Sequence, residues 1–421
     1  EAMSFLIIAV FLLTALASVP IAHGLLIAAL VAAATSSRIP MDILVQTMVQ
    51  QVQSFPLIAI PFFMLTGSLM MGGKLGEALI GVLTRIIGRY HGGPAQVGVL
   101  SSTIFGGVSG SAVADASAIG SLMIPWHKRL GYPPAFSAAT LAAAATIDIL
   151  IPPSIPMILF AITANASIAA LFVAGILPGL LMCAGFMGAC WWVGKRRNFP
   201  RDTQKMVRSE FLKMLAYASP ALLLPVLIIV FLRFGIATPT EVAILSTLYS
   251  GLVSAFLYKD LGWKRLNLAV INAGLATGVV LLVIMASAAI GWLLTFDQMP
   301  NGIVEWAKSN LSQGWMVILM MNLLMLVCGM FIDLPAAVLL LTPVFVPLAT
   351  SIGMDPIQLG IMMTVNLAIG LYTPPVGTTL FITSALAKVK VGETVRELGP
   401  FYLVAFTVLF LVSYVPAMIL R

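Results

Sequence analysis

Charge is what this chain has least of: Asp, Glu, Lys and Arg together make up 9% of its 421 residues, about a third of what a soluble domain carries. Cysteine and histidine are scarcer still, at 3 each. Cys183, Cys190 and Cys328 fall within apolar runs without CxxC spacing and read as small buried thiols. His23, His91 and His127 are isolated near the ends of such runs, where headgroup or loop contacts explain them, and no pair has the spacing of metal ligands. A Walker motif, an HExxH sequence, a Ser-His-Asp set and an acidic pair at glycosidase-like spacing are all missing, which excludes the common catalytic and nucleotide-hydrolysing centres. Any work the molecule does must draw on an ion gradient or on a partner. The short alternating segments of an outer-membrane barrel are absent too.

Apolar sequence fills the space. Hydrophobic residues make up 60% of the chain, mean hydropathy is +1.07, and runs of roughly 17 to 25 residues recur, the length an α-helix needs to cross a bilayer. The fold class is therefore an all-α integral membrane protein. Residues 3–34 have no basic flank before them and no clear cleavage site, and they read as structure rather than as a signal peptide. The net charge of +7 does not indicate nucleic acid, because the cations are dispersed at the ends of spans. The densest cluster, Lys195, Arg196, Arg197, Arg201, Lys205, Arg208 and Lys213, is assigned to the cytoplasm. Counting spans outward from it places 18 of the 22 Lys and Arg inside and leaves Arg38, Arg233, Lys308 and Arg421 outside.

That count expects two short spans within the first 36 residues, a span near 54–71, an amphipathic surface segment near 74–90, and a pair of half-length helices near 95–127 that enter and leave by one face. A broken span follows over 134–164, interrupted near 148–153, and then full spans near 168–194, 214–233 and 239–258. The order then repeats: a span near 268–294, a surface segment near 300–312, a hairpin near 314–351, a broken span near 355–387 and a last span near 399–420. Register supports the repeat. Pro125 and Pro347, Gly131 and Gly353, Pro134 and Pro356, Pro152-Pro153 and Pro374-Pro375, and Pro178 and Pro400 all stand 222 residues apart. Five crossings separate corresponding elements, so the two copies are expected to be inverted.

Two re-entrant hairpins and two helices broken by Pro-Pro place unpaired backbone at membrane depth, where it must line a site instead of facing lipid. In Phe105-Gly-Gly-Val-Ser-Gly-Ser-Ala-Val-Ala-Asp115, Ser109, Gly110 and Ser111 form the first tip and offer hydroxyl and carbonyl oxygens toward the break at Ile151-Pro-Pro-Ser154. The second tip, Cys328-Gly-Met-Phe-Ile-Asp333, faces Tyr372-Thr-Pro-Pro-Val-Gly-Thr-Thr379. Oxygen ligands of this kind suit Na⁺, and the expected Na⁺ ligands are Ser109, Gly110, Ser111, Pro152, Ser154, Gly329, Asp333, Thr373 and Gly377. Half-helix N-termini after each Pro-Pro favour an anion. Ser111, Asp115, Asp148, Ser154, Asn366, Thr378 and Thr379 are the expected substrate contacts. Plainer roles compete: Ser111 and Asp333 as N-caps, Asp115 as a helix-dipole charge, and Thr238-Pro-Thr-Glu241 as a capping box. Asp148 resists a plain role, since an acid in an apolar span is costly unless it is satisfied or protonated.

The motifs quoted above, together with Ser54-Phe-Pro-Leu-Ile-Ala-Ile-Pro-Phe-Phe63, Ile151-Pro-Pro-Ser-Ile-Pro-Met157, Thr238-Pro-Thr-Glu241 and Asn366-Leu-Ala-Ile-Gly-Leu-Tyr-Thr-Pro-Pro-Val-Gly377, resemble the large membrane subunit of tripartite ATP-independent periplasmic (TRAP) transporters over nearly the whole chain. The resemblance implies an ion-transporter elevator fold, in the bacterial inner membrane, that imports an organic anion such as sialic acid, a C4-dicarboxylate or a sulfonate with two or more Na⁺ ions. It also implies a small four-helix membrane subunit and a soluble periplasmic binding protein as partners, neither of which this chain contains. A binding-protein-independent Na⁺/anion symporter of the same architecture is the alternative, and an intramembrane enzyme or channel is a third reading. On this division 1–72 and 166–294 are scaffold, 73–91 and 295–313 amphipathic arms, 92–165 and 314–390 the two halves of a transport domain, and 391–421 a C-terminal helix. One departure stands out: the family stretch usually reads Thr-Ile-Gly-Pro where this chain has Thr146-Ile-Asp-Ile149.

Overall fold

A computed structural model describes residues 2–36, 39–71, 73–202, 207–311 and 313–419, and all regular structure among them is helical. Arg38, Lys205 and Arg421, used in the charge count above, lie outside the described residues. The N-terminal run folds as two helices, α1 (Ala2–Leu16) and α2 (Ile21–Thr35), packed on each other. A helix that sequence reading passed over follows, α3 (Met41–Val52), and the chain bends by 55° before it enters α4 (Ala59–Met71). Its residues are mixed in polarity, and only Leu44 is buried, so no run of apolar residues marks it.

The surface segment is α5 (Lys74–Ile87), and the first hairpin is α6 (Gly93–Ser109) with α7 (Ala112–Arg129). The first broken helix comprises α8 (Pro134–Ala144), a 3₁₀ turn at Ala145–Ile147, an unwound stretch and α9 (Ile155–Ala164). Three long helices come next: α10 (Ile168–Arg196), α11 (Arg208–Arg233) and α12 (Pro239–Leu252), the last ending in a π-turn. The second series is α13 (Trp263–Phe296), the arm α14 (Met299–Asn310), the hairpin α15 (Gly314–Phe331) and α16 (Leu334–Ser351), the broken pair α17 (Pro356–Gly370) and α18 (Thr378–Ala387), a short α19 (Val391–Glu397) and α20 (Gly399–Tyr414). Six helices among the described residues are long and apolar enough to cross a bilayer.

The broken helices occupy the centre. α8 and α17, too short to span at 11 and 15 residues, are buried along almost their whole length, and each leads into an unwound stretch surrounded by protein. α18 packs against α8 and α7, so the two breaks meet across the middle of the bundle. Around them, α4, α12, α13 and α3 pack against one another as an outer wall.

Inversion of the repeats follows from α20. Its N-terminal end adjoins Glu397, which pairs with Arg197 at the end of α10 (2.7 Å). Gly194 in that same last turn of α10 packs against Gly92, where hairpin α6/α7 begins. Its C-terminal end carries Tyr414, whose hydroxyl donates to Trp315 O (3.2 Å) at the base of hairpin α15/α16. A straight 16-residue helix is about 24 Å long, so the two hairpins open on opposite faces of the bundle.

The chain entering each of α5 and α14 is tied by an aspartate. Arg265, at the start of α13, pairs with Asp260 (2.6 Å) and donates to Leu69 O at the end of α4. Asp260 accepts the N–H of Lys74, the first residue of α5 (2.8 Å). The cation thus faces a helix C-terminus and the anion a helix N-terminus, the favourable sense for both dipoles. A side chain at Gly73 would overlap the guanidinium. At the other arm Asp297 accepts from the N–H of Ser4 in α1 (2.9 Å). The expected capping box at α12 is present, with Thr238 N–H and hydroxyl both donating to Glu241 (2.7 and 2.8 Å).

His127 departs from its expected interfacial place. It is fully buried, with its ring nitrogens bonded to Pro94 O (2.9 Å) and Ser137 Oγ (3.2 Å), and it joins the base of α6 to α7 and α8. The headgroup or loop reading fails because Pro94, at the start of α6, and Ser137 in α8 lend it the partners that water would otherwise supply. Cysteines introduced singly at Arg85 and Lys308, on α5 and α14, are expected to react with a membrane-impermeant thiol reagent from opposite sides of a sealed vesicle. Labelling of both from one side would contradict the inversion.

Candidate functional site

The first tip is built by two short-range constraints. Gly110 sits at φ +63°, in the left-handed region that glycine enters without strain, and reverses the chain between α6 and α7. Ser111 then caps α7, its hydroxyl accepting from Ala114 N–H (3.5 Å). The reversal leaves consecutive N–H groups pointing one way, a small anion-binding nest.

Asp148 fills that nest. Its carboxylate accepts from the Ser109 hydroxyl (2.7 Å), the Gly110 N–H (3.2 Å) and the Ser111 N–H (2.9 Å). Asp148 is fully buried and belongs to the unwound part of the first broken helix. Sequence reading paired the tip with this break through carbonyl oxygens, and the carboxylate adds a direct bond between the two elements. Room for it comes from Gly106, where a Cβ would lie 2.5 Å from Asp148 Cα. A Cβ on Gly110 would lie 2.7 Å from Pro153 O, so the tip rests on the Pro-Pro break itself. Ser109, Gly110, Ser111 and the break at Pro152 are therefore brought together. Ser154 belongs to the same break, but its hydroxyl donates to Ile149 O (2.6 Å) and accepts from Met157 N–H (3.4 Å), which makes it the cap of α9. Asp115, one turn into α7, is also fully buried, and neither of its carboxyl oxygens has a hydrogen-bond partner.

The second junction is built differently. Gly370 presses on the hairpin at Gly329, where a Cβ would come within 2.3 Å of Gly329 O, and Val376 N–H donates to Met330 O (3.2 Å). Asp333 opens α16 without capping it through its side chain, contrary to the capping role open to it from sequence. Gly329, Asp333, Gly377 and Thr378 line one cavity of about 70 Å³, together with Leu371 and with Ile21 from α2. The Thr378 hydroxyl is buried there without a partner. A compact space bordered by a carboxylate and an unpartnered hydroxyl offers the hard oxygen donors that suit a small cation.

Three expected residues lie elsewhere. Thr373 turns its hydroxyl back to Ile369 O (2.6 Å). Thr379 bonds Ala142 O (3.1 Å) and Leu371 O (2.9 Å), linking one broken helix to the other. The Asn366 amide donates to Asn322 O and Oδ1 (2.9 and 2.8 Å), and Asn322 in turn donates to Ser413 (3.0 Å), a buried ladder joining α15, α17 and α20. Sequence reasoning missed Gly370, Asn322 and Ile21, and took Gly106 only as one of three glycines that let the tip fold tightly. Register held the one usable signal for Gly370, which stands 222 residues after Asp148 and shows that the acid replaces a glycine of the other repeat.

Similarity to known proteins fits this geometry and decides the family. Residues 7–418 match the description "Tripartite ATP-independent periplasmic transporter, DctM component". The chain belongs to this family. It is a TRAP large permease, a multi-pass membrane component of a transporter and not an enzyme. It is similar to the "Uncharacterized protein y4mL" of Sinorhizobium fredii, at 54% identity over 418 residues covering 99% of this chain and 100% of the relative. It is also similar to the 2,3-diketo-L-gulonate TRAP transporter large permease protein YiaN of Escherichia coli, at 35% identity over 401 residues covering 95% and 94%. Among solved structures the Alcanivorax borkumensis YdaH transporter superposes with a TM-score of 0.66 at 16% identity, covering 98% of both chains, a likeness of fold alone.

The close approach at the first junction sets a sharp expectation for this permease. Gly106→Ala puts a methyl group against Asp148 backbone and should destabilise the detergent-solubilised protein by about 1–3 kcal/mol, read as a lower melting temperature. Gly188→Ala, at a site with nothing within 4 Å, should leave it unchanged or slightly raised. Equal behaviour of the two variants would contradict the packing described.

Proposed function

We propose that this permease imports an organic anion by Na⁺ symport, with two or more Na⁺ ions held where the hairpin tips meet the breaks. The observation that carries the reading is the pairing itself: each hairpin tip rests on a Pro-Pro break inside a bundle that is otherwise apolar, and oxygen-bearing groups gather at both junctions. Backbone freed at membrane depth is costly, and a chain that frees it twice in matching places gains something from it. At the second junction Asp333, Thr378 and the carbonyls near Gly329 and Gly377 would surround one ion. At the first, Ser109, Gly110 and Ser111 would face another across the Pro152 break.

The substrate anion is assigned between the junctions, near the N-terminal ends of α9 and α18, which offer partial positive charge. A 2,3-diketo-L-gulonate permease among the relatives supports a carboxylate substrate. Transport takes the form of an elevator: α6 to α9 and α15 to α18 move together against α1 to α4 and α10 to α13, with α5 and α14 as the connecting arms. The working assembly sits in the bacterial inner membrane and includes a small membrane subunit of four helices and a periplasmic binding protein that delivers the substrate.

Reconstitution tests this. Proteoliposomes holding the permease, its small subunit and the binding protein should accumulate substrate only under an inward Na⁺ gradient, and the permease alone should not. Ser111→Ala and Asp333→Ala should each raise the Na⁺ concentration for half-maximal uptake about tenfold or more, the loss expected for one charge-assisted contact. Full uptake by the permease alone, or unaltered Na⁺ dependence in both variants, would contradict the proposal.

A further inference from the structure

Two buried carboxyl groups lie at the inner face of hairpin α6/α7, Asp115 on α7 and Asp148 from the first broken helix, and α6, α8 and α18 carry no basic side chain. Asp148 and Asp115 both have no solvent exposure, and they lie close enough for the charge of one to act on the other. Their bonding is unequal. Asp148 accepts three hydrogen bonds from the tip, whereas both oxygens of Asp115 are without a partner. The side chain that faces Asp115 is Ser102 on α6, whose hydroxyl is itself fully buried and makes no hydrogen bond of good geometry.

Nothing on the packed elements balances this charge. The helices against α7 are α6, α8 and α18, with the turn at Ala145–Ile147. Apart from Asp148 just after that turn, none of them carries an ionisable side chain. The nearest basic groups on α7 itself begin at His127, 12 residues or about 18 Å along the helix, and His127 is bonded to Pro94 and Ser137. Isolated carboxylates in a low-dielectric interior are strongly disfavoured unless a counter-charge joins them.

We propose that Asp115 and the Ser102 hydroxyl form a sodium site between the arms of hairpin α6/α7, with the Asp148 carboxylate adding attraction from the side of the tip. The site rests on the ion-coupled reading above but is separate from the ions placed at the two junctions. A monovalent ion there bridges the Asp115 oxygens and a Ser102 lone pair; protonation of Asp115 is the competing way to remove the charge, and the acid arm of the test below separates the two. The donor set is all oxygen, and no group of three His, Cys, Asp or Glu that would draw a transition metal exists among the described residues. Binding would draw α6 and α7 together behind the tip and reinforce the hold of Asp148 in its nest.

Thermal unfolding of the purified permease, with K⁺ replaced by Na⁺ at constant ionic strength, reads the site without substrate or partners. The wild type should gain about 3 °C or more at saturating Na⁺. Asp115→Asn should melt higher than wild type in Na⁺-free buffer, because it removes an uncompensated charge, and should show a smaller Na⁺ response, the remainder coming from the junction ions. Ser102→Ala should keep the response but shift its midpoint upward about tenfold. A Na⁺ response in Asp115→Asn as large as in wild type would overturn this site while leaving the junction ions standing. Absence of any Na⁺ response in the wild type would overturn both. Stabilisation by acid in place of Na⁺, abolished by Asp115→Asn, would show the counter-charge to be a proton and overturn the sodium assignment. If Asp115→Asn fails to fold, Ser102→Ala decides alone, and an unmoved midpoint overturns the site.

Discussion

No water reaches the middle of a bilayer, so every N–H and C=O freed where a helix breaks there needs a partner from the chain itself. In this permease the demand is met by pairing each break with the tip of a re-entrant hairpin, whose own turn has the same unmet groups. At the first pair the Asp148 carboxylate accepts two N–H groups and a hydroxyl of the tip. Much of the surrounding structure serves that contact. Gly106 leaves space for the carboxylate, Gly110 reverses the chain, and Gly67 of α4 and Pro225 of α11 pack closely against the last turn of α6 at Ser109 and Gly107.

The two repeats solve the same problem in unlike ways. In the second, glycine stands at 370 where the first has Asp148, and the break lies directly on the hairpin backbone at Gly329. The acid has moved to the tip, as Asp333 in the register position of Ser111, and there it borders a cavity instead of filling a nest. One junction is therefore a hydrogen-bonded lock and the other a small polar chamber. Thr379, bonded to Ala142 across the centre, ties the two broken helices into one body. A lock on one side and a chamber on the other means that inverted repeats need not give two equivalent sites.

Much of this was legible in the residues. Proline and glycine cannot hide in an apolar helix, so the 222-residue register, both hairpins and both breaks could be placed before any coordinates. What escaped was of two kinds. α3 lacks an apolar run, and its burial is confined to Leu44, so its helical form depends on packing against α13. The partners of Asp148, Asn366 and Thr379 were hidden because hydrogen bonds between segments 37 to 237 residues apart leave no mark on local sequence. For Asp148 the residue type showed that a partner had to exist, and only the fold showed which. The same logic failed for Ser154, whose hydroxyl is taken up within its own turn.

The bond between tip and break is the contact on which the rest depends, and a double-mutant cycle on Ser109 and Asp148 measures it most directly. Ser109→Ala, Asp148→Gly and the double variant would be compared by equilibrium or thermal unfolding of the solubilised protein. A charge-assisted hydrogen bond that locks hairpin α6/α7 to the first broken helix gives a coupling of about 1–3 kcal/mol, the double variant losing less than the sum of the singles. Strictly additive losses would mean that the two side chains do not act on each other, and that something other than Asp148 holds the first tip in place.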